Sequence, residues 1–134
     1  MADRGHEGLA RLLLSKARGN EAAVAALLAD DKVPDDVVGF HAHRAVEKAL
    51  KAVLAVRGIE YAFGHDLAYL ADLLDANSIK VPGELRGAEE LRPWAAEFRY
   101  EDPPTGSSGL DRERALQLAA SATRWAAADL QARS

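Results

Sequence analysis

Apolar residues recur along this chain at three- and four-residue intervals almost from end to end, and runs of β-branched residues are few; both features predict helices rather than strands. A first helix is expected over about residues 7–29, with Leu9, Leu12, Leu13, Ala17, Val24, Leu27 and Leu28 as its apolar positions. Gly19-Asn20 interrupts it, and Asn20 has the chemistry to cap a restarted helix. Asp30-Asp31-Lys32-Val33-Pro34 reads as a turn, with Pro34 suited to the start of a second helix that reaches Val56 and stops near Gly58. Val38, Ala42, Ala45, Val46, Ala49 and Val53 form its apolar stripe. A short third helix is expected from about His65 to Ala76, on Leu67, Leu70, Ala71 and Leu74, with Asp66 in its first turn.

A fourth helix is expected over about residues 83–100, on Leu85, Ala88, Leu91, Ala95 and Phe98, with Pro93 kinking or restarting it. After it comes the one low-complexity stretch, Glu101 to Leu110, with Pro103-Pro104-Thr105-Gly106-Ser107-Ser108-Gly109 inside it. Asp111 then reads as the N-cap of a fifth helix ending near Ala132, built on Ala115, Leu118, Ala122, Trp125, Ala126 and Leu130. There is no internal repeat. The pattern therefore predicts an all-α, up-and-down antiparallel bundle of about five helices, with residues 1–134 as a single domain.

Composition narrows the possible functions. The 134 residues are enough for a substantial core, and no apolar run approaches the ~18 residues of a membrane span. The charged N-terminus has no apolar signal core behind it, so a cytoplasmic location is expected. No cysteine is present, which excludes disulfides and Cys-ligated zinc. The formal charge of -4 excludes a globally basic nucleic-acid binder, so any such site must be a local patch.

One patch qualifies. On the second helix His43, Glu47 and Lys51 are spaced i, i+4, i+8, and Arg44 and Lys48 occupy the adjacent row. Arg44, Lys48 and Lys51 suit phosphate oxygens, with Glu47 holding a cation in position; the plain alternative is a solvated face with a Glu47–Lys51 ion pair. His65-Asp66 follows at a helix start, either as a cap and turn or as a site where His65 acts as general acid or base. Arg99-Tyr100 closes the fourth helix and offers a phosphate contact and a stacking ring, although Glu101-Asp102 beside it would repel phosphate.

Other chemistries fail on geometry. His41 and His43 point about 200° apart on a helix and cannot share an ion, so neither a metal nor a cofactor is expected. Gly106-Ser107-Ser108-Gly109 lacks the Gly-Lys-Ser/Thr ending of a phosphate loop. No Ser-His-Asp or Cys-His set can be assembled. Trp94 and Trp125 read most simply as core or interface residues.

The pattern Phe40, His43-Arg44-Ala45, Glu47-Lys48-Ala49, Lys51-Ala52, then His65-Asp66-Leu67, then Phe98-Arg99-Tyr100 before a Pro-rich loop, resembles the HEPN family over nearly the whole chain. The resemblance implies a small helical domain that often dimerises. Many such domains stand beside a minimal nucleotidyltransferase in toxin–antitoxin pairs; some are metal-independent RNases, and others are nucleotide-binding or non-catalytic adaptor modules. It directs attention to His43, Arg44, Glu47, Lys48, Lys51, His65, Asp66, Arg99 and Tyr100 as the nucleotide- or phosphate-binding set, with His65 and Arg99 as the catalytic candidates. The nuclease members carry an Arg followed by a His after four to six intervening residues. Here Arg57 and His65 are separated by seven, and no His follows Arg99. The expected function is a nucleotide- or RNA-interacting module working with a nucleotidyltransferase and forming a homodimer. A metal-independent endoribonuclease toxin and a non-catalytic dimerisation adaptor are the alternatives.

Overall fold

The computed structural model describes residues 4–95 and 109–133. Within them the chain forms α1 (Arg4–Leu27), α2 (Asp35–Val56), α3 (Leu67–Ala76), the single turn α4 (Gly83–Arg86), a 3₁₀ helix (Gly87–Trp94) and α5 (Arg112–Ala132). These helices pack into the expected helical bundle, although not every neighbouring pair is antiparallel. Helix α2 lies at its centre, against α1, α3, the 3₁₀ helix and α5.

Side-chain contacts give the directions of the long helices. At the start of α5, Arg112 bonds Asp35 at the start of α2 and the carbonyl of Leu27 at the end of α1. At the far end of α5, Asp129 receives two hydrogen bonds from Arg57, just past the end of α2. So α1 runs antiparallel to both neighbours, while α5 runs alongside α2 in the same direction. Arg112 also donates to the carbonyls of Asp30 and Val33. A single guanidinium thereby satisfies backbone acceptors through the α1–α2 turn that the end of a helix leaves open.

Three features, two of them in α1, differ from the expectation. Helix α1 passes through Gly19-Asn20 without a break, and Asn20 does not cap; its side chain bonds His41 Nδ1 at 3.0 Å and accepts from Lys48 Nζ at 3.1 Å across the α1–α2 interface. The buried stripe of α1 is Ala10, Leu14, Ala17 and Val24, leaving Leu9 and Leu12 exposed. Small residues at 10 and 17 let α1 approach α2 closely, an advantage that outweighs the larger apolar area of the two leucines.

The third difference is the stretch 83–95, expected as an α-helix. Leu85, Ala88, Leu91 and Trp94, all buried, recur every three residues, the period at which 3₁₀ side chains align. An α-helix would rotate that stripe away from α2, and Pro93 would break its ladder. The expected continuation, including Phe98, lies outside the described residues, as does the stretch 101–108.

The helix ends follow the sequence signals. Asp111 caps α5 by accepting from Arg114 N at 3.0 Å, and Asp66 caps α3 by accepting from Ala68 N and Tyr69 N. His65 therefore stands just before α3 rather than inside it. Past α2, Gly58 N bonds Ala55 O at 3.0 Å and Ile59 N bonds Leu54 O at 2.9 Å, the paired closure of a Schellman motif.

Gly39 is where α2 meets the 3₁₀ helix. A Cβ there would come within 2.5 Å of Trp94 Cγ and 2.7 Å of Trp94 Cβ. The approach is possible only because glycine has no side chain. Trp94 is itself buried. Gly39→Ala is expected to destabilise the fold by about 1–3 kcal/mol through overpacking, despite alanine's better helix propensity. Urea unfolding followed by tryptophan fluorescence measures it, and an unchanged midpoint would contradict this packing.

Candidate functional site

Most of the polar ridge of α2 faces inward. Burial covers α2 on most sides, so Glu47 retains only 3% of its side-chain exposure and His43 only 2%. A carboxylate this buried needs several donors to remain charged, and Glu47 has them. Oε1 accepts from Arg44 NH1 one turn earlier and lies 3.0 Å from His65 Nδ1. Oε2 accepts from Lys51 Nζ at 2.8 Å. Burial by itself would raise the Glu47 carboxyl. The hydrogen bonds from Lys51, His65 and Arg44 and the Lys51 charge outweigh it, and the group is held below the ordinary carboxylate value.

The same hub fixes the α2–α3 loop. Lys51 Nζ also donates to the Gly64 carbonyl at 2.8 Å. Gly64 takes φ +146°, a backbone state side chains disfavour, and the turn it makes carries His65 toward Glu47. The aromatic ring of Tyr61 lies 5.6 Å from Lys51 Nζ, and the ring of Phe40 lies 4.8 Å from the Arg44 guanidinium. With Nδ1 held by Glu47, His65 keeps 45% of its side chain exposed. Beside it Phe63 is fully exposed, its ring centroid 6.3 Å from that of His65.

Arg44, Glu47, Lys51 and His65 thus meet directly. Lys48 joins them through Asn20 rather than through Glu47. Burial depresses its ammonium, Glu47 raises it, and Lys16, Arg44 and Lys51 depress it further. Lys48 thus feels three further cations, Lys16, Arg44 and Lys51, and one carboxylate, Glu47, a local surplus of positive charge on a chain whose net charge is -4. Lys16 and Asn20 on α1 carry no signal in the α2 pattern. An amide in the middle of an otherwise Ala-rich helix was the one hint of the latter. Asp66 is engaged as the α3 cap. Arg99 and Tyr100 lie outside the described residues.

His43 behaves differently. Its Nδ1 stands 3.8 Å from Glu47 Oε1, too far for a hydrogen bond, and it is the one buried side-chain polar atom without a partner among the described residues. Burial pushes its pKa down to about 4, against the pull of Glu47 and with Arg44, His65 and Lys51 adding to the fall, so the ring is neutral at physiological pH. It lines a cavity of about 240 Å³ together with His65, Asp66, Leu67, Glu89, Arg92 and Ala95. Larger hollows, of about 440 and 690 Å³, flank α1 and α5 near Arg18 and Gln131, away from this cluster.

A helical domain with a charged hub on its second helix, tied to a His-Asp-Leu turn, can now be compared with known proteins. The model of the HEPN domain matches residues 10–129. The chain belongs to the HEPN family. No curated protein and no solved structure matches it significantly. The match takes in every element of the bundle and the whole charged hub. Membership supports a nucleotide- or RNA-related role at the level of the family, whose domains commonly form dimers. Among the described residues no helix is long and apolar enough to cross a membrane, and no group of three or more His, Asp or Glu is placed to hold a metal.

Proposed function

We propose that this HEPN domain binds the phosphates of a nucleotide or RNA on the surface formed by Lys16, Arg44, Lys48 and Lys51, and acts beside a nucleotidyltransferase partner in a toxin–antitoxin-like system. The observation that carries the binding reading is the local charge surplus: Lys48 with Lys16, Arg44 and Lys51 near it against the single carboxylate of Glu47, on an otherwise acidic chain. Arg44 and Lys51 are oriented by Glu47, so their remaining donors are fixed before a ligand arrives. The partner rests on the family resemblance alone.

Lys16 and Lys48 are the residues to test, because neither bonds the buried carboxylate. The double replacement Lys16→Gln and Lys48→Gln is expected to weaken binding of a short single-stranded RNA about tenfold or more at low salt. It should also reduce the salt dependence of the affinity by roughly one unit of slope per lost phosphate contact. Fluorescence anisotropy across a salt series reads both. Unchanged affinity and slope would reject the surface.

A metal-independent endoribonuclease is the second reading, and the observation favouring it is the Glu47–His65 contact. The carboxylate holds Nδ1, leaving the other ring nitrogen of a half-exposed His65 for proton transfer. The RNA 2′-oxygen would attack the adjacent phosphorus, closing a cyclic phosphate as the 5′-oxygen leaves with a proton; an arginine, Arg99 by the sequence, would stabilise the developing charge. An RNA cleavage assay in EDTA decides between the readings. Activity lost in His65→Ala and Arg99→Ala makes the chain an enzyme, and an inactive folded wild type leaves a binding module.

A further inference from the structure

We propose that the cavity walled by His43, His65 and Leu67 and rimmed by Asp66, Glu89 and Arg92 binds the heteroaromatic base of the nucleotide whose phosphates lie on the cationic surface. This inference rests on the binding reading above and assigns the other half of the ligand.

Three observations lead to a base rather than a second phosphate. The first is the unpartnered Nδ1 of His43. It lies on the edge of the ring nearest Glu47 Oε1, which in turn contacts the cavity-wall residue His65. A buried polar atom left without a partner destabilises the fold unless a ligand supplies one. Because the ring is neutral, its complement is a neutral donor or acceptor, such as the edge of a base offers.

The second is the charge of the walls. Asp66 and Glu89 face a single arginine, Arg92, which already pairs with Glu89 at 3.8 Å. A bare anion entering here meets two carboxylates and one engaged cation. The phosphate-attracting surplus lies on the Lys16–Lys48–Lys51 side of Glu47, so the two halves of the site have different electrostatics.

The third is size and shape. At about 240 Å³ the cavity falls below the roughly 300–1,000 Å³ that houses a drug-sized ligand, which suits one ring system and not a whole nucleotide. Leu67 supplies an apolar wall. The ring of His65 lines it, and the fully exposed ring of Phe63, outside the lining, has its centroid 6.3 Å from that of His65. Single-stranded RNA recognition commonly combines aromatic stacking with one or two base-edge hydrogen bonds.

The test uses the four ribonucleosides, which carry no phosphate, in an ¹⁵N–¹H NMR titration of the whole chain. At least one is expected to shift the Leu67 and Ala95 amides saturably. That response should weaken at least tenfold in His43→Leu, which stays folded because it removes an unsatisfied atom, and in Ala95→Trp, which fills the cavity from its rim. Ribose 5-phosphate should not compete. If no ribonucleoside produces saturable shifts, or if the variants respond like wild type, the base pocket is wrong. Competition by ribose 5-phosphate would overturn it in favour of an anion site. In each of these cases RNA binding that still depends on Lys16 and Lys48 leaves the phosphate surface standing, so the two readings fail separately.

Discussion

Glu47→Gln is expected to destabilise the fold by about 3–5 kcal/mol, the cost of removing one partner from a buried ion pair and leaving the others uncompensated. The substitution keeps the shape of the side chain, removes its charge and replaces one accepting oxygen with a donating NH2. Arg44 and Lys51, mostly buried beside it, then lose their counter-ion, and the amide is left with one accepting oxygen where Arg44, His65 and Lys51 had two. A buried carboxylate is not stabilising by default, because its desolvation opposes the Coulombic gain. Here the balance is decided by the direction of its titration. The carboxyl is held below its ordinary value despite burial, so the charged form is better served inside the fold than in water. The loss should be visible by urea denaturation at pH 7.

It should also depend on pH in a set direction. A carboxyl depressed in the fold contributes stability above its unfolded value of 4.5, and that contribution disappears as pH falls through the lower folded value. The difference between wild type and E47Q should therefore shrink in acid. A variant as stable as wild type at pH 7 would show that the three donors do not depend on the carboxylate. The conformational consequence is local to the α2–α3 loop. Lys51 holds both Glu47 and the Gly64 carbonyl, so releasing the first loosens the second and with it the placement of His65.

How much of this was legible in the sequence varies by element. Helix α2 could be read almost completely, because its apolar stripe has the helical period and its ends carry Pro34 and Gly58. The caps Asp66 and Asp111 were legible for the same kind of reason, a local chemical signal with a local partner. Helix α1 was legible as a helix but not in its rotation: leucines at 9, 12, 13 and 14 surround its axis, and the choice among them was made by alanines that admit α2. The 3₁₀ stretch was hidden because Leu85, Ala88 and Leu91, at i, i+3 and i+6, are too few to separate the two periods, which part where Trp94 rather than Ala95 carries the stripe.

The site was legible in membership and not in depth. The spacing of His43, Glu47 and Lys51 shows a common ridge, yet spacing on one helix cannot show whether neighbouring elements cover it. Two of the three proved to be interior hydrogen-bonding partners of a salt-bridge hub, and the third to carry the only buried side-chain polar atom without a mate among the described residues. Asn20, Lys16, Glu89 and Arg92 reach the site only through tertiary contact and carried no pattern of their own.

That unmated histidine is expected to make the fold acid-labile. His43 titrates near 6.5 when unfolded and at about 4 in the fold, chiefly because burial disfavours its charged form. Between those values the unfolded chain binds a proton that the folded chain refuses, so stability falls as pH drops from 6.5 to about 4. The two values differ by enough to remove about 3 kcal/mol over that interval, at roughly 1.4 kcal/mol per unit. The groups facing the ring set the size of the effect. Glu47 at 3.8 Å favours protonation, whereas Arg44, His65 and Lys51 oppose it together with burial. This interval lies mostly above the one in which Glu47 acts, so the two groups separate experimentally. His43→Leu should flatten the stability profile between pH 6.5 and 4.5 and leave the steeper loss below it. Equilibrium unfolding at half-unit pH steps measures both limbs. A variant that retains the wild-type slope between pH 6.5 and 4.5 would show that His43 can accept a proton in place, with Glu47 as its partner after all.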